Sequence, residues 1–347
     1  MPTIERPTNI SVNCSFIERY GQIGRPVSAN ALVVRLTNFL SSPTGINFLT
    51  DSYERLTSKK TTGFSEIRAQ MIQQGFFQFV FLLRVTAHTG EREKFCLIVS
   101  KENEAFATNR ITADEYELLS RYHQLCPDQF VKPLVFDNSD LTLYSSVFCP
   151  EHLELDFKID GAGGRQGFYI NSFRSSKIFS KEEQDQLMEE TVKILTLAYE
   201  ANEHKAINGL KISAGDFILH YKDKNHFDMK LICVRMAVEQ SIPSFIHSLI
   251  EYSIGLSTIP GLEKTTHLGY LFDRQTIFNG LVKAFIAKSG DRTTSLKKAT
   301  EWMGQYCQAL DGGELKSLIR FWAKLRQEAG YDGLPVYRYQ RADAAKG

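Results

Sequence analysis

Lys101 and Val99 lie at the end of an apolar run, Phe95–Ser100, whose aromatic and β-branched residues favour a strand. Because side chains alternate along a strand, Val99 and Lys101 share one face. This pairing suits a nucleotide, with the apolar side chain against adenine and the ammonium group near the phosphates. The alternative is a solvated lysine that closes the strand.

A carboxylate that could pair with this lysine follows in a helix-like segment. Glu115 shares a helical stripe with Leu119 and Tyr122, which directs its side chain toward the core. There it could form an ion pair with Lys101. Thr112 and Glu115 also match a capping box, in which the glutamate serves the start of the helix.

A second candidate region runs from Asn208 to Arg235. It contains a polar loop, an apolar strand from Phe217 to Tyr221, a polar turn and a second strand from Met229 to Val234. Two apolar runs around such a turn predict a β-hairpin. A long helix-like segment precedes the loop, so the elements that position this region are a helix, a loop and a hairpin.

This order resembles the segment in which protein kinases present their catalytic groups. The run Gly215-Asp216-Phe217-Ile218-Leu219 is similar to the kinase Glu-Asn-Ile-Leu-Leu, and Lys230–Arg235 is similar to Lys-Leu-Ile-Asp-Phe-Gly. Four further elements follow one another in the family's order: a strand that ends at a lysine, a helix that carries a glutamate, a Cys-Pro turn and a hinge at Cys149-Pro150. The resemblance covers about residues 70–240.

Several positions depart from the kinase pattern. The resemblance places Lys211 at the catalytic aspartate, Cys233 at the main metal-binding aspartate and Asp216 at the metal-binding asparagine. A protonated lysine cannot accept the substrate proton, and a thiol binds Mg²⁺ poorly. The glycine-rich loop retains only Gly75, followed by the bulky Phe76. Asp216 alone remains a candidate metal ligand.

The resemblance therefore implies a pseudokinase, a catalytically impaired kinase-like protein that acts as a binding or regulatory module. Its cofactor-binding residues would be Lys101, Glu115, Val99 and Gly75, and its degenerate catalytic positions Lys211, Asp216 and Cys233. Any cofactor would be ATP or another nucleotide, with or without Mg²⁺.

The implied fold class is α+β with two lobes. Residues 1–63 would form a helical extension, 64–150 a small antiparallel-sheet lobe with one key helix, 151–336 a mainly helical lobe and 337–347 a flexible tail.

Other interpretations stay open. An atypical phosphotransferase or nucleotidyltransferase would be an ATP-dependent enzyme with carboxylates from elsewhere, such as Asp228 or Glu239. An alignment with the His-Gly-Asp of small-molecule kinases would make Asp216 catalytic, but the strand begins at Phe217 and leaves no loop to carry it. The third interpretation is an α+β binding domain unrelated to kinases.

The composition limits which partners and which cellular compartment we expect. The 347 residues are 43% hydrophobic and 23% charged with a net charge of +1, which gives no reason to expect nucleic acid as the main partner. No apolar run is long enough for a membrane span. Six scattered cysteines without a C-x-x-C motif suit a reducing compartment. We expect a cytoplasmic protein with a protein partner.

Further elements follow from periodicity and capping signals. Helices are expected near 28–40, 46–56 and 180–202, the last opened by a Ser180–Glu183 capping box. The predicted helices of the second half are 243–256, 266–288, 292–310 and 313–329. The glycine-rich residues 158–177 are expected to form an exposed insertion.

Overall fold

A computed structural model describes residues 9–14, 29–74, 77–101, 108–159, 166–171, 176–201, 203–207, 214–223, 226–250, 256–257, 266–267, 270–271, 274–311 and 337–338. The chain divides into two units, Met1–Pro127 with Val131–Pro150 and Asp128–Phe130 with Glu151–Gly347. Both contain strands and helices, so the α+β class is confirmed. No helix in the described ranges combines the length and the apolar character needed to cross a membrane.

The first unit is built on a six-stranded sheet. Its elements are β1 (Asn9–Asn13), α1 (Ala29–Ser41), α2 (Pro43–Thr57), β2 (Phe64–Gln74), β3 (Gln78–Ala87), β4 (Arg92–Ser100), α3 (Thr108–Leu125), β5 (Pro133–Asn138) and β6 (Thr142–Val147). The strand order is β1-β2-β3-β4-β6-β5. Neighbouring strands are antiparallel except β1 and β2, which are parallel.

The two N-terminal helices meet at a tight junction. Ser42 caps α2 by accepting a hydrogen bond from the Gly45 amide at 3.0 Å, and Pro43 occupies the first turn, as the predicted break requires. The Ser52 hydroxyl of α2 lies 2.7 Å from the Ser145 hydroxyl of β6. Side chains of α1 and α2 share one hydrophobic core with the sheet. Residues 29–57 of the predicted extension are therefore an integral layer of this unit.

The β3–β4 hairpin confirms the expected pair of strands around a Thr-Gly turn. The strand before it, β2, was not anticipated. It alternates buried and more exposed residues in the manner of a half-buried strand, with Ile67, Ala69 and Met71 on the core side.

The second unit contains a five-stranded antiparallel sheet, further strand pairs and four helices in its described part. In chain order the elements are β7 (Leu153–Ile159), β8 (Gln166–Asn171), β9 (Ser176–Ile178), α4 (Lys181–Ala201), β10 (Lys205–Ile207), a 3-10 turn (Ala214–Asp216), β11 (Phe217–Tyr221), β12 (Phe227–Leu231), β13 (Ala237–Glu239), α5 (Ile242–Ile250), β14 (Leu256–Ser257), β15 (Thr266–His267), β16 (Tyr270–Leu271), α6 (Arg274–Ser289), α7 (Arg292–Asp311) and β17 (Tyr337–Arg338). The larger sheet has the order β12-β11-β7-β8-β9, and β10 pairs with β13.

Helix α4 follows its sequence signals closely. The Ser180 amide donates to the Glu183 carboxylate at 2.8 Å, and the Glu183 amide donates to the Ser180 hydroxyl at 3.3 Å, which completes the predicted capping box. The expected stripe is buried; it consists of Leu187, Thr191, Ile194, Leu195 and Ala198.

Three predictions for the second half were wrong. Residues 158–177 are not simply an insertion, because β8 and β9 within this range extend the sheet from β7. The helix expected over 266–288 begins only at Arg274, after β15 and β16. Gly269 and the neighbouring aromatic residues disfavour a helix there. Helix α5 ends at Ile250, six residues before the predicted end at residue 256. The predicted helix 313–329 lies outside the described residues.

Gly280 sets the distance between α4 and α6. A Cβ atom at this position would lie 2.5 Å from Val192 Cβ and 2.9 Å from the Glu189 carbonyl oxygen. We expect Gly280→Ala to lower the free energy of unfolding by about 1–3 kcal/mol, because neither helix can retreat without losing core contacts. Unfolding followed by circular dichroism measures this.

Gly304, in the interior of α7, is the matched control because no atom lies within 4 Å of its added Cβ. Gly304→Ala should stabilise the protein by about 0.5–1 kcal/mol, through the lower conformational entropy of alanine in the unfolded chain. Equal effects of the two substitutions would contradict the close helix approach.

Candidate functional site

The helix that carries Glu115 begins earlier than its capping signal suggests. Helix α3 starts at Thr108, and the Thr112 hydroxyl donates to the Thr108 carbonyl at 3.0 Å. Thr112 is therefore inside the helix, and the capping box proposed for it is wrong. The predicted stripe is correct, since Glu115, Leu119 and Tyr122 are each at most 1% exposed.

The Glu115 carboxylate is held by neutral donors. The Tyr144 hydroxyl of β6 donates to Oε1 at 2.5 Å, and the Gln78 side-chain amide of β3 donates to Oε2 at 3.3 Å. The same amide nitrogen lies 3.2 Å from the Thr112 hydroxyl oxygen. These contacts tie α3 to two strands. They give this buried carboxylate a structural role.

The sheet keeps Lys101 away from Glu115. Gln78 pairs with Ser100, and Tyr144 pairs with Ile98, so these positions face α3. Phe79 and Val99 are the next pair along the strands and face the other side.

The Lys101 ammonium lies 5.1 Å from the centre of the Phe79 ring, on that other side. Between Lys101 and Glu115 the described side chains form no ion pair. The expected ion pair is therefore wrong. Side chains of the strand point alternately to the two faces of the sheet, and α3 covers only the face opposite Lys101.

Val99 and Lys101 occupy different environments. Val99 is fully buried in the core that α1 and α2 share with the sheet, so in this structure its side chain is part of that core and does not face a ligand surface. Lys101 is half-buried, and burial lowers its pKa. The Phe79 ring is its described side-chain contact. Gly75 lies outside the described residues.

In the second unit two strand pairs surround Asp216 and the segment that contains Cys233. β10 pairs with β13, and β11 pairs with β12. Asp216 directly precedes β11, and the segment 232–236 connects β12 to β13. The Ile232 amide donates to the Asp216 carbonyl at 2.8 Å, which fixes the start of that segment beside Asp216.

Asp216 is bound by a residue that the sequence did not reveal. Nη2 of Arg235 lies 3.4 Å from Asp216 Oδ1, and the aspartate side chain is 7% exposed. In the expected resemblance to protein kinases, Arg235 stands at the glycine of the Asp-Phe-Gly run. A cation at that glycine, together with an acidic residue at Asp216, is the signal that could have identified the pair.

Within the described residues, the other degenerate positions supply no oxygen ligand for a metal ion. Cys233 is buried as a free thiol. Lys211 lies outside the described residues. No group of three or more His, Cys, Asp or Glu side chains in the described ranges is placed to hold a metal ion.

The alternative carboxylates are engaged elsewhere. Asp228, in the middle of β12, pairs with the Lys222 ammonium at 2.8 Å. Glu239, on β13, lies 3.9 Å from the Lys205 ammonium with most of its side chain exposed. Both acids have lysine partners at the surface, so neither supplies a second buried ligand next to Asp216.

No protein-family model matches the chain, and a sequence search against curated proteins finds no match. The residues and their geometry therefore carry the functional argument.

Removing one donor tests the structural role of Glu115. Tyr144→Phe deletes the hydroxyl that donates to a carboxylate only 1% exposed, so we expect the free energy of unfolding to fall by about 1–3 kcal/mol. Chemical denaturation measures the change.

Tyr116→Phe is the control, because the Tyr116 hydroxyl makes only a long 3.4 Å hydrogen bond to the Leu134 carbonyl. It should change the stability by less than about 1 kcal/mol. A Tyr144→Phe protein as stable as the Tyr116→Phe protein would show that the Glu115 network contributes little.

Proposed function

We propose that this chain is a catalytically impaired kinase-like protein, a pseudokinase that acts as a binding or regulatory module. The observation that most strongly supports this proposal is the ion pair between Asp216 and Arg235. Asp216 is the one acidic residue among the three degenerate positions, and a cation of the chain itself lies against it.

The Arg235 guanidinium cannot replace a divalent metal ion in catalysis. Phosphoryl transfer uses a metal that bridges phosphate oxygens and takes oxygen ligands in a fixed geometry. A metal ion at Asp216 would have to displace Arg235 from a buried carboxylate, and breaking a buried pair is costly. Cys233 would offer it only a soft ligand.

The first unit supports the same proposal. Active protein kinases require the strand lysine to pair with the helix glutamate. Here neutral groups hold Glu115 on one face of the sheet, and Lys101 lies on the other face against Phe79. The lysine is therefore not positioned by a carboxylate.

The proposal also includes a kinase-like arrangement of the helices and strands. Its support is the order of elements: a hairpin that ends at a lysine, a helix with a buried glutamate, then the helix α4, a loop and the β11–β12 hairpin. β10 and β13, which precede and follow that hairpin in the chain, pair with each other.

ATP binding and turnover test the proposal directly. We expect no ATP hydrolysis or autophosphorylation with Mg²⁺ or Mn²⁺, and no thermal shift with ATP that depends on either metal. The purified full-length chain would be compared with Lys101→Ala. Turnover that is lost in Lys101→Ala would refute the proposal and favour an atypical transferase.

The role of Arg235 has its own test. Arg235→Ala removes the positive charge from Asp216 and should create a Mn²⁺-dependent thermal shift that the wild-type protein lacks, since an oxygen ligand becomes available to a hard cation.

Lys222→Ala is the matched control, because it frees the exposed Asp228 in the same unit. A shift of equal size in both variants would mean that the added metal binds any released carboxylate. A Mn²⁺-dependent shift already present in the wild-type protein would contradict the protective role of Arg235.

A further inference from the structure

Two histidines face each other where β7 joins the β11–β12 hairpin. The register pairs Leu153 with Leu219, which places His152 opposite His220. Their ring centres are 5.3 Å apart with the planes tilted by 37°. His220 in turn pairs with Asp228 of β12, so the two imidazoles and a carboxylate form a row across three strands.

The His152 ring is held in its neutral form. Both ring nitrogens are buried, and no group hydrogen-bonds either of them. Burial first, then the positive charges of His220 and Lys230, lower the pKa of His152 below its ordinary value of 6.5, while Asp228 and Glu151 act in the opposite direction. A buried imidazole without partners accepts a proton only when its surroundings open.

His220 differs from His152 because it has a carboxylate nearby. Its Nε2 lies 3.5 Å from the exposed Glu151 carboxylate. Asp228, the next side chain in the row, is already paired with Lys222. The Glu151 carboxylate therefore lies beside His220, whereas a proton on His152 would face Lys230.

The strand pairing at this point is short. β7 pairs with β11 over only two residue pairs in the described chain, Ile218 with Glu154 and Leu219 with Leu153. By comparison, β7 pairs with β8 over six positions and β11 with β12 over five. The β7–β11 junction is therefore the weakest ladder of the three, and a small free-energy change can open it.

We propose that His152 and His220 form a proton-sensitive latch that holds β7 against β11 at neutral pH and releases it when the protein is acidified. Above the pKa of His152 its neutral ring lies against the His220 ring across the junction. As the pH falls through that pKa, the open form binds the proton more readily than the closed form, so the closed form loses stability. β11 begins directly after Asp216, so release of β7 loosens the strand that follows this residue.

Hydrogen exchange tests the latch on the full-length protein. Exchange of the backbone amides in 217–222 would be measured at pH 7.5 and 5.5 and corrected for the intrinsic pH dependence. We expect protection of β11 to fall by about threefold or more at pH 5.5 in the wild-type protein, while the central strands of the other unit keep their protection. Equal corrected protection of β11 at both pH values would overturn the proposal.

Variants separate the latch from general acid instability. His152→Phe keeps a ring without a titratable nitrogen, and it should retain β11 protection at pH 5.5. His226→Gln is the control: this histidine lies on the same hairpin and pairs with Asp223 at the exposed turn. It should keep the wild-type pH response. A response that persists in His152→Phe, or one that disappears in His226→Gln, would refute the assignment to His152.

If His152→Phe does not fold, imidazole resonances of the wild-type protein decide the question. A His152 ring that titrates below 6.5, together with chemical-shift changes in β11 at the same midpoint, supports the latch. A His152 titration at or above 6.5, or β11 shifts with a different midpoint, would contradict it. Neither outcome depends on whether the protein is a pseudokinase.

Discussion

In a β-strand, successive side chains point to opposite faces of the sheet, and in the first unit different helices cover the two faces. Helix α3 packs on the face that contains Gln78 and Tyr144, whereas side chains of α1 and α2 share the core with Val99 and Phe79. This arrangement decides the environment of every candidate residue in the unit. A lysine that follows Val99 by two positions lies on the α1–α2 side and cannot reach a glutamate on α3.

The second unit depends on a comparable constraint. β11 and β12 form a hairpin, and at its end the Ile232 amide donates to the Asp216 carbonyl. Arg235 follows Ile232 by three residues, so this pairing brings it close to Asp216.

Local signals in the sequence predicted part of this structure. The Ser180–Glu183 capping box, the α3 stripe and the β11 strand each depend on residues within about a dozen positions of one another, and each was correct. The second hairpin strand was placed two residues late, since it spans Phe227–Leu231 and not 229–234. Strand β2 was missed although its alternation is visible, because polar residues fill one of its faces.

The errors in the candidate site concern which elements lie against each other. Periodicity placed Glu115 on a buried stripe and Val99 on the Lys101 face, and both statements are correct. Periodicity does not reveal that α1 and α2 cover the Val99 face, because that depends on residues more than 40 positions away. The same applies to Arg235, whose partner is 19 residues away and across a hairpin.

Two buried acids, Glu115 and Asp216, have different described partners, and the difference bears on the proposed function. Gln78 and Tyr144 from two strands donate hydrogen bonds to Glu115. The Arg235 guanidinium lies against Asp216. A transferase must leave an acid available to a metal ion at the moment that a phosphate arrives, whereas a binding module gains rigidity when its buried acids have internal partners. Described side chains of the chain engage both acids. The binding or regulatory module that we propose would use its buried charges in this way, to fix loops and helices.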